Sequence, residues 1–148
     1  LTDLVRLSFS IDVPLAERLE KMRAATSYEN RSEFIRDLIR DRIVSEEWEN
    51  NEQALGTITI LYDHTRRNLA EELIDVQHSN HAIILATTHV HLDRDLCAEM
   101  IMVKGAADEI RRIADLLRRH KGVLHGSLSL GSTGGRLAVK GKRHRHKH

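Results

Sequence analysis

Apolar and polar positions alternate from the start of the chain. Val5, Leu7, Phe9 and Ile11 fall on one side, and Arg6, Ser8 and Ser10 on the other. Period-two alternation predicts a half-buried strand over Leu4–Ile11. The period then changes. Asp12 can cap a helix, Pro14 suits its first turn, and Leu15, Leu19 and Met22 recur at helical spacing. Asn30 opens a second helix, with Glu33 three residues on in capping-box register and an apolar stripe of Phe34, Ile35, Leu38, Ile39 and Ile43. A strand followed by two helices has no second strand to satisfy its backbone, and two short helices bury too little apolar surface to stand alone. The pattern therefore predicts an obligate dimer, in which this strand pairs antiparallel with its copy about a two-fold axis.

Glu46–Asn51 is polar apart from Trp48, and reads as a helix end and linker running to Gly56. A new rhythm follows: strand over 57–63, helix over 66–77, strands over 81–92 and 97–104, helix over 106–119 and a last strand over 123–130. This βαββαβ order predicts a ferredoxin-like sandwich, one antiparallel sheet with two helices on one face. The fold class is thus α+β. Its expected domains are a βαα module over 1–48, a linker over 49–56 and the sandwich over 57–131. A Gly/Ser and then basic, His-rich tail over 132–148 has no core pattern and is expected to lack fixed structure.

Charge refines this picture. The formal net charge is +1, but positions 136–148 carry six Lys/Arg, three His and no acids. The remaining 135 residues hold 17 basic against 22 acidic groups, a net of −5. A basic body, the usual electrostatic footprint of nucleic-acid binding, is absent, so any DNA contact must rest on geometry. The aromatic residues are one Trp, two Tyr and two Phe, too few for a stacking platform for single strands. No apolar run approaches the roughly 18 residues of a spanning helix, and no membrane association is expected. The single cysteine excludes an intrachain disulfide and fits a reducing, cytoplasmic setting.

That cysteine lies near the most suggestive motif. In His89-Val90-His91 the two imidazoles share one face of a strand, about 7 Å apart along it. Leu92–Leu96 can turn, and Cys97 would then return beside them. Two imidazoles and a thiolate suit Ni(II), Cu(II) or Zn(II) rather than Mg(II) or Ca(II), and leave a fourth position open. The same residues also fit plain packing, with His89 and His91 at the surface and Cys97 as a small buried hydrophobe. Glu99 either orients a ligand from behind or is an ordinary solvated glutamate. His78 and His81 lie where a helix ends, which favours histidine in any case. His64, His120 and His125 have no partner that spacing defines. The polar face Arg6, Ser8, Ser10, doubled by a two-fold, would fit a major groove, with the helix at Asn30 offering N–H groups to a phosphate. It equally fits the solvent face of a dimer.

Taken together, these motifs resemble the nickel-responsive transcriptional regulators, the NikR family, over about positions 4–131. Arg6–Asp12 is similar to the strand of a ribbon-helix-helix domain, and Asn30–Asp37 to the opening of its second helix. Gln77-His78, His89-Val90-His91 and Cys97-x-Glu99 match the family's metal-binding pattern, in which the sandwich is described as ACT-like. The resemblance implies a homotetramer, a dimer of dimers, with the sandwiches at the centre. It implies one Ni(II) per chain in a planar site of His89, His91 and Cys97 of one chain with His78 of a neighbour, and Glu99 behind the ligands. Arg6, Ser8 and Ser10 would read double-stranded operator DNA, Arg66 and Arg67 would approach its backbone, and Glu33 and Asp37 would form a second cation site. The implied function is repression of nickel-uptake genes.

Other classes make different demands. A ribbon-helix-helix regulator sensing a small molecule would not need His89, His91 and Cys97. A metal store or carrier would bind metal without specific operator binding. An enzyme is not expected: there is no nucleophile–base pair or phosphate loop, and a closed four-ligand site leaves no place for water or substrate.

Overall fold

The computed structural model describes residues 4–137. Among the described residues the chain divides into two compact units, the first running from Leu4 to Ile43 together with Arg136 and Leu137, the second Val44–Gly135.

In the first unit the expected helices form. Helix α1 spans Val13–Ala24, with Asp12 Oδ1 accepting the Leu15 N–H at 3.0 Å and proline in the first turn. Helix α2 spans Arg31–Glu49, and Asn30 Oδ1 accepts the Glu33 N–H at 2.9 Å. Only this half of the capping box is made, because the Glu33 carboxylate turns to Arg36. The expected strand over Leu4–Ile11 is not formed within a single chain. These residues carry no ladder hydrogen bonds, and Val5, Leu7 and Phe9 are 81%, 79% and 65% exposed. The physical reason was already in the pattern: a lone strand has nothing to pair with. Phe34, its ring tilted by 54° against that of Tyr28 at a centroid distance of 5.4 Å, is the buried apolar side chain of this unit among the described residues, and α1 buries none.

The second unit is the expected sandwich. Strand β1 (Gln53–Asp63), helix α3 (Leu69–His78), strands β2 (Ile84–His91) and β3 (Leu96–Ala106), helix α4 (Ala107–Arg118) and strand β4 (Val123–Ser132) follow in order. The sheet runs β2-β3-β1-β4, antiparallel throughout. Burial alternates along β1 and β3, so Ala54, Ile58, Ile60 and Tyr62 of β1 join Cys97, Ile101 and Val103 of β3 under the helices. Leu69 and Leu73 of α3, with Ile110, Ile113 and Leu117 of α4, close the core from above. On the opposite face Met100 and Met102 are each 43% exposed.

Three element starts differ from expectation by three residues or more, among them β2, which opens at Ile84 rather than 81. Strand β1 opens at Gln53, because its ladder with β3 continues to the pair Gln53↔Ala106. Gly56, read as linker, is therefore a strand residue. A Cβ there would lie 3.1 Å from Leu128 and 3.3 Å from Trp48, so a side chain would press both neighbours back by a few tenths of an ångström. Helix α3 begins at Leu69 rather than 66. The Asp63 carboxylate takes the Thr65 N–H at 2.9 Å and its hydroxyl at 2.6 Å, folding 63–65 into a turn before Asn68 (φ 65°) admits the helix.

Trp48 explains why the second unit starts at Val44, ahead of the boundary expected after 48. The indole is 1% exposed, its Nε1 donates to the Gly131 carbonyl at 2.9 Å, and the Arg111 guanidinium lies 5.3 Å from its ring centroid. The final residues of α2 thus belong to the sandwich core. We expect Trp48→Ala to destabilise this unit by about 3–5 kcal/mol, the range for removing a buried aromatic side chain. Urea denaturation followed by far-UV circular dichroism should show the lowered midpoint.

Candidate metal centre

The site is built by the pairing of β2 with β3. Its register sets His89 opposite Glu99 and His91 opposite Cys97, so the four residues project from the same face as the core. The intervening turn is held by the Asp93 carboxylate, which accepts the N–H groups of Asp95 and Leu96, each at 2.8 Å. Those two donors hold the Asp93 carboxyl below its ordinary range. Leu92 N–H then bonds the Leu96 carbonyl at 2.9 Å, closing the hairpin.

The outcome is convergence on one sulfur. Cys97 Sγ lies 3.2 Å from His89 Nε2 and 3.1 Å from His91 Nδ1. The sulfur is fully buried while both imidazoles sit at the exposed edge of the sheet, so the cluster has a solid floor and an open side. Burial, then the charges of Asp93 and Glu99, push the Cys97 thiol up. A cation is the group that would reverse that preference, since thiolate ligation removes the proton outright. The donor set fits a borderline-soft metal.

A buried polar layer supports the histidines. The Tyr62 hydroxyl, 3.3 Å from His89 Nδ1, fixes the ring so that Nε2 faces the sulfur. Burial first, and the neighbouring Glu99 carboxylate second, push the Tyr62 phenol up to about 12, so it stays a neutral hydrogen-bonding group. Glu99 is 6% exposed and accepts Gln77 Nε2 at 2.7 Å; Gln77 Oε1 accepts the Thr87 hydroxyl at 2.8 Å. The solvated-glutamate reading of Glu99 is thereby corrected, because the strand turns its odd-numbered residues inward.

One neighbour escaped the sequence reading. His64, just past β1, lies with His91 and Cys97 in a group whose ligand atoms are all within 4.8 Å, and its Nε2 bonds the Arg94 carbonyl at 2.8 Å. The β1–β3 register, Tyr62 opposite Cys97, brings it there. Spacing along the chain carries no trace of that long-range pairing. His78 ends α3 as an exposed residue and is not in this group.

The other singled-out residues are placed as follows. Arg6, Ser8 and Ser10 are exposed in the first unit. Arg66 and Arg67 are exposed in the β1–α3 turn. Glu33 pairs with Arg36 at 3.7 Å. Asp37 accepts the Tyr28 hydroxyl and pairs with Arg40 at 2.5 Å, contacts that hold its carboxyl below the ordinary range, the tyrosine bond contributing most. Both carboxylates of the implied second cation site are thus occupied by partners of their own unit.

Comparison with known proteins decides the family. Residues 55–130 match the family described as NikR C terminal nickel binding domain, and residues 5–46 match the ribbon-helix-helix proteins of the copG family. A protein of Pyrococcus abyssi named as a nickel-responsive regulator is 49% identical over 136 residues, spanning 91% of this chain and 99% of its own. Relatives of the same name from Pyrococcus horikoshii and Syntrophus aciditrophicus are 47% and 41% identical, over 91% and 90% of this chain and 99% and 98% of theirs. This chain belongs to the nickel-responsive regulator family. It joins a ribbon-helix-helix module to a NikR nickel-binding domain, and it is a transcription regulator, not an enzyme. The His/His/Cys hairpin lies within the segment that matches the NikR domain.

The buried layer yields a test. Tyr62→Phe removes the hydroxyl that orients His89, and Glu99→Gln removes the charge behind it. Each variant should bind nickel about 10- to 100-fold more weakly, the cost typical of losing an outer-shell partner. Competition against a chelator measures this, with circular dichroism showing that the sandwich persists.

Proposed function

We propose that this regulator represses nickel-uptake genes by binding operator DNA when Ni(II) occupies His89, His91 and Cys97 of one chain together with His78 of a neighbouring chain. The observation that carries this reading is the approach of two imidazole nitrogens to one buried sulfur, at 3.2 and 3.1 Å, within the segment that matches the nickel-binding domain. Nickel, when bound, would supply a Lewis acid suited to imidazole nitrogen and thiolate sulfur, held by these four residues. The residues do the rest. Cys97 gives up its proton, His89 and His91 present lone pairs, Tyr62 holds His89 in place, and Glu99 lies behind them. Glu33 and Asp37 are proposed as a second cation site once Tyr28, Arg36 and Arg40 release them.

A ligand contributed by another chain makes occupancy depend on assembly. We take the assembly to be a cytoplasmic homotetramer, a dimer of dimers, with one nickel per chain. His78 lies outside the intrachain cluster and is free to serve a neighbour, which supports this arrangement. Val5, Leu7 and Phe9, exposed and without a ladder, support pairing of the N-terminal strand with its copy. In that ribbon Arg6, Ser8 and Ser10 would meet base edges in the major groove, while Arg66 and Arg67 contact phosphates. Metal raises DNA affinity to the extent that it favours the DNA-competent arrangement over the others. A coupling of about 3 kcal/mol would change operator affinity roughly 150-fold.

Two outcomes test the proposal. Binding of a promoter fragment upstream of nickel-uptake genes should require nickel and be lost on chelation; equal binding with and without metal would contradict it. Nickel affinity should also weaken as pH falls. The Cys97 thiol is raised above its ordinary value, so in the neutral range each bound nickel displaces a proton from it. The logarithm of the affinity therefore rises by at least about one unit per pH unit until the raised thiol value is passed. Calorimetry in buffers of different ionisation enthalpy measures the released proton.

A further inference from the structure

The ribbon-helix-helix unit holds an ion-paired triad that neither the metal site nor base reading accounts for. Glu20, on the third turn of α1, sets one carboxylate oxygen 2.6 Å from Arg31 Nε and the other 3.1 Å from Arg23 Nε. Arg23 also donates to the Tyr28 carbonyl at 3.3 Å, which fixes it to the turn between the helices. Arg31 has no second partner among the described contacts; it is the first residue of α2, and its side chain is 65% exposed. Glu20 and Arg31 line one groove together with Ser8, Phe9 and Ser32. The pair therefore opens beside the segment that carries Ser8. The Glu20 carboxyl is held below its ordinary range, chiefly by Arg23 and further by Arg31, and stays ionised at neutral pH.

A carboxylate seated between guanidinium groups offers them the same charge and fork geometry as a phosphate. We propose that Glu20 is an internal stand-in for a DNA phosphate, which Arg31 must abandon before it can take hold of the backbone. Phosphate contacts carry no sequence information, so this competition lowers the affinity for every duplex alike. Its consequence is greatest for sequence-blind binding, which consists almost wholly of such contacts. In a mildly acidic body, Glu20 then helps keep the regulator off bulk DNA until base contacts and metal are both in place. The inference rests on the reading that this unit binds duplex DNA.

The test uses the full chain, with and without nickel, and a short duplex of random sequence followed by fluorescence anisotropy across a salt series. Glu20→Gln keeps the shape and removes the charge. It should bind about two- to fivefold more tightly per chain engaged, the range an exposed ion pair allows, and its salt dependence should steepen by about one ion per chain. Glu17, exposed on the same helix and without an ion pair among the described residues, is the charge-matched control. Glu17→Gln should leave the salt slope unchanged. Adding Glu20→Gln to Arg31→Gln should bring no further gain. The inference is overturned if Glu20→Gln behaves like Glu17→Gln, or if its gain survives in the Arg31→Gln background. If no form binds any duplex even at low salt, the DNA-binding reading itself fails and takes this inference with it.

Discussion

The register between two neighbouring strands governs this molecule's chemistry. Pairing His91 with Cys97 and His89 with Glu99 places both imidazoles and the thiol on the core side of the sheet. A slip of β2 by one residue would turn Val90 inward and send both imidazoles to the open face, away from Cys97. The register is fixed twice over. Asp93 closes the turn through two backbone N–H groups, and the alternating burial of β3 commits Ile101 and Val103 to the core. The placement of these side chains is therefore as firmly specified as the hydrophobic packing beneath them. The network from Tyr62 and Glu99 through Gln77 to Thr87 forms a polar layer between the two.

The complementary constraint is incompleteness. A single chain leaves the N-terminal apolar residues exposed, forms no strand over Leu4–Ile11, and gathers candidate ligands without the fourth histidine that the proposal assigns to a neighbour. Each gap calls for another copy of the chain. In the proposed assembly sensing would be coupled to association, because a ligand bound across chains can favour one arrangement over another.

Much of this was legible in the sequence, and the failures have physical causes. Period-two and helical patterns gave the ordered elements of the sandwich, because each strand buries one face and each helix one stripe. The hairpin ligands could be read because they are local, set by alternation and a short turn. His64 could not, since a long-range strand pairing brings it to Cys97. The burial of Trp48 at the helix end escaped the pattern for a related reason. Its neighbours Glu46, Glu47, Glu49 and Asn50 look like a solvated linker, and only the tertiary contact with Gly131 and Arg111 shows that the core reaches back to Val44. The N-terminal segment shows a third limit: its alternation is genuine, but no strand within the described chain pairs with it.

The most direct test of the central claim, a nickel centre built on Cys97, is an optical titration of the protein lacking the tail after Gly135, beside its Cys97→Ala variant. The account predicts a thiolate-to-nickel charge-transfer band that saturates at one metal per chain and disappears in the variant. A titration with no such band, or a band that survives without Cys97, would contradict it.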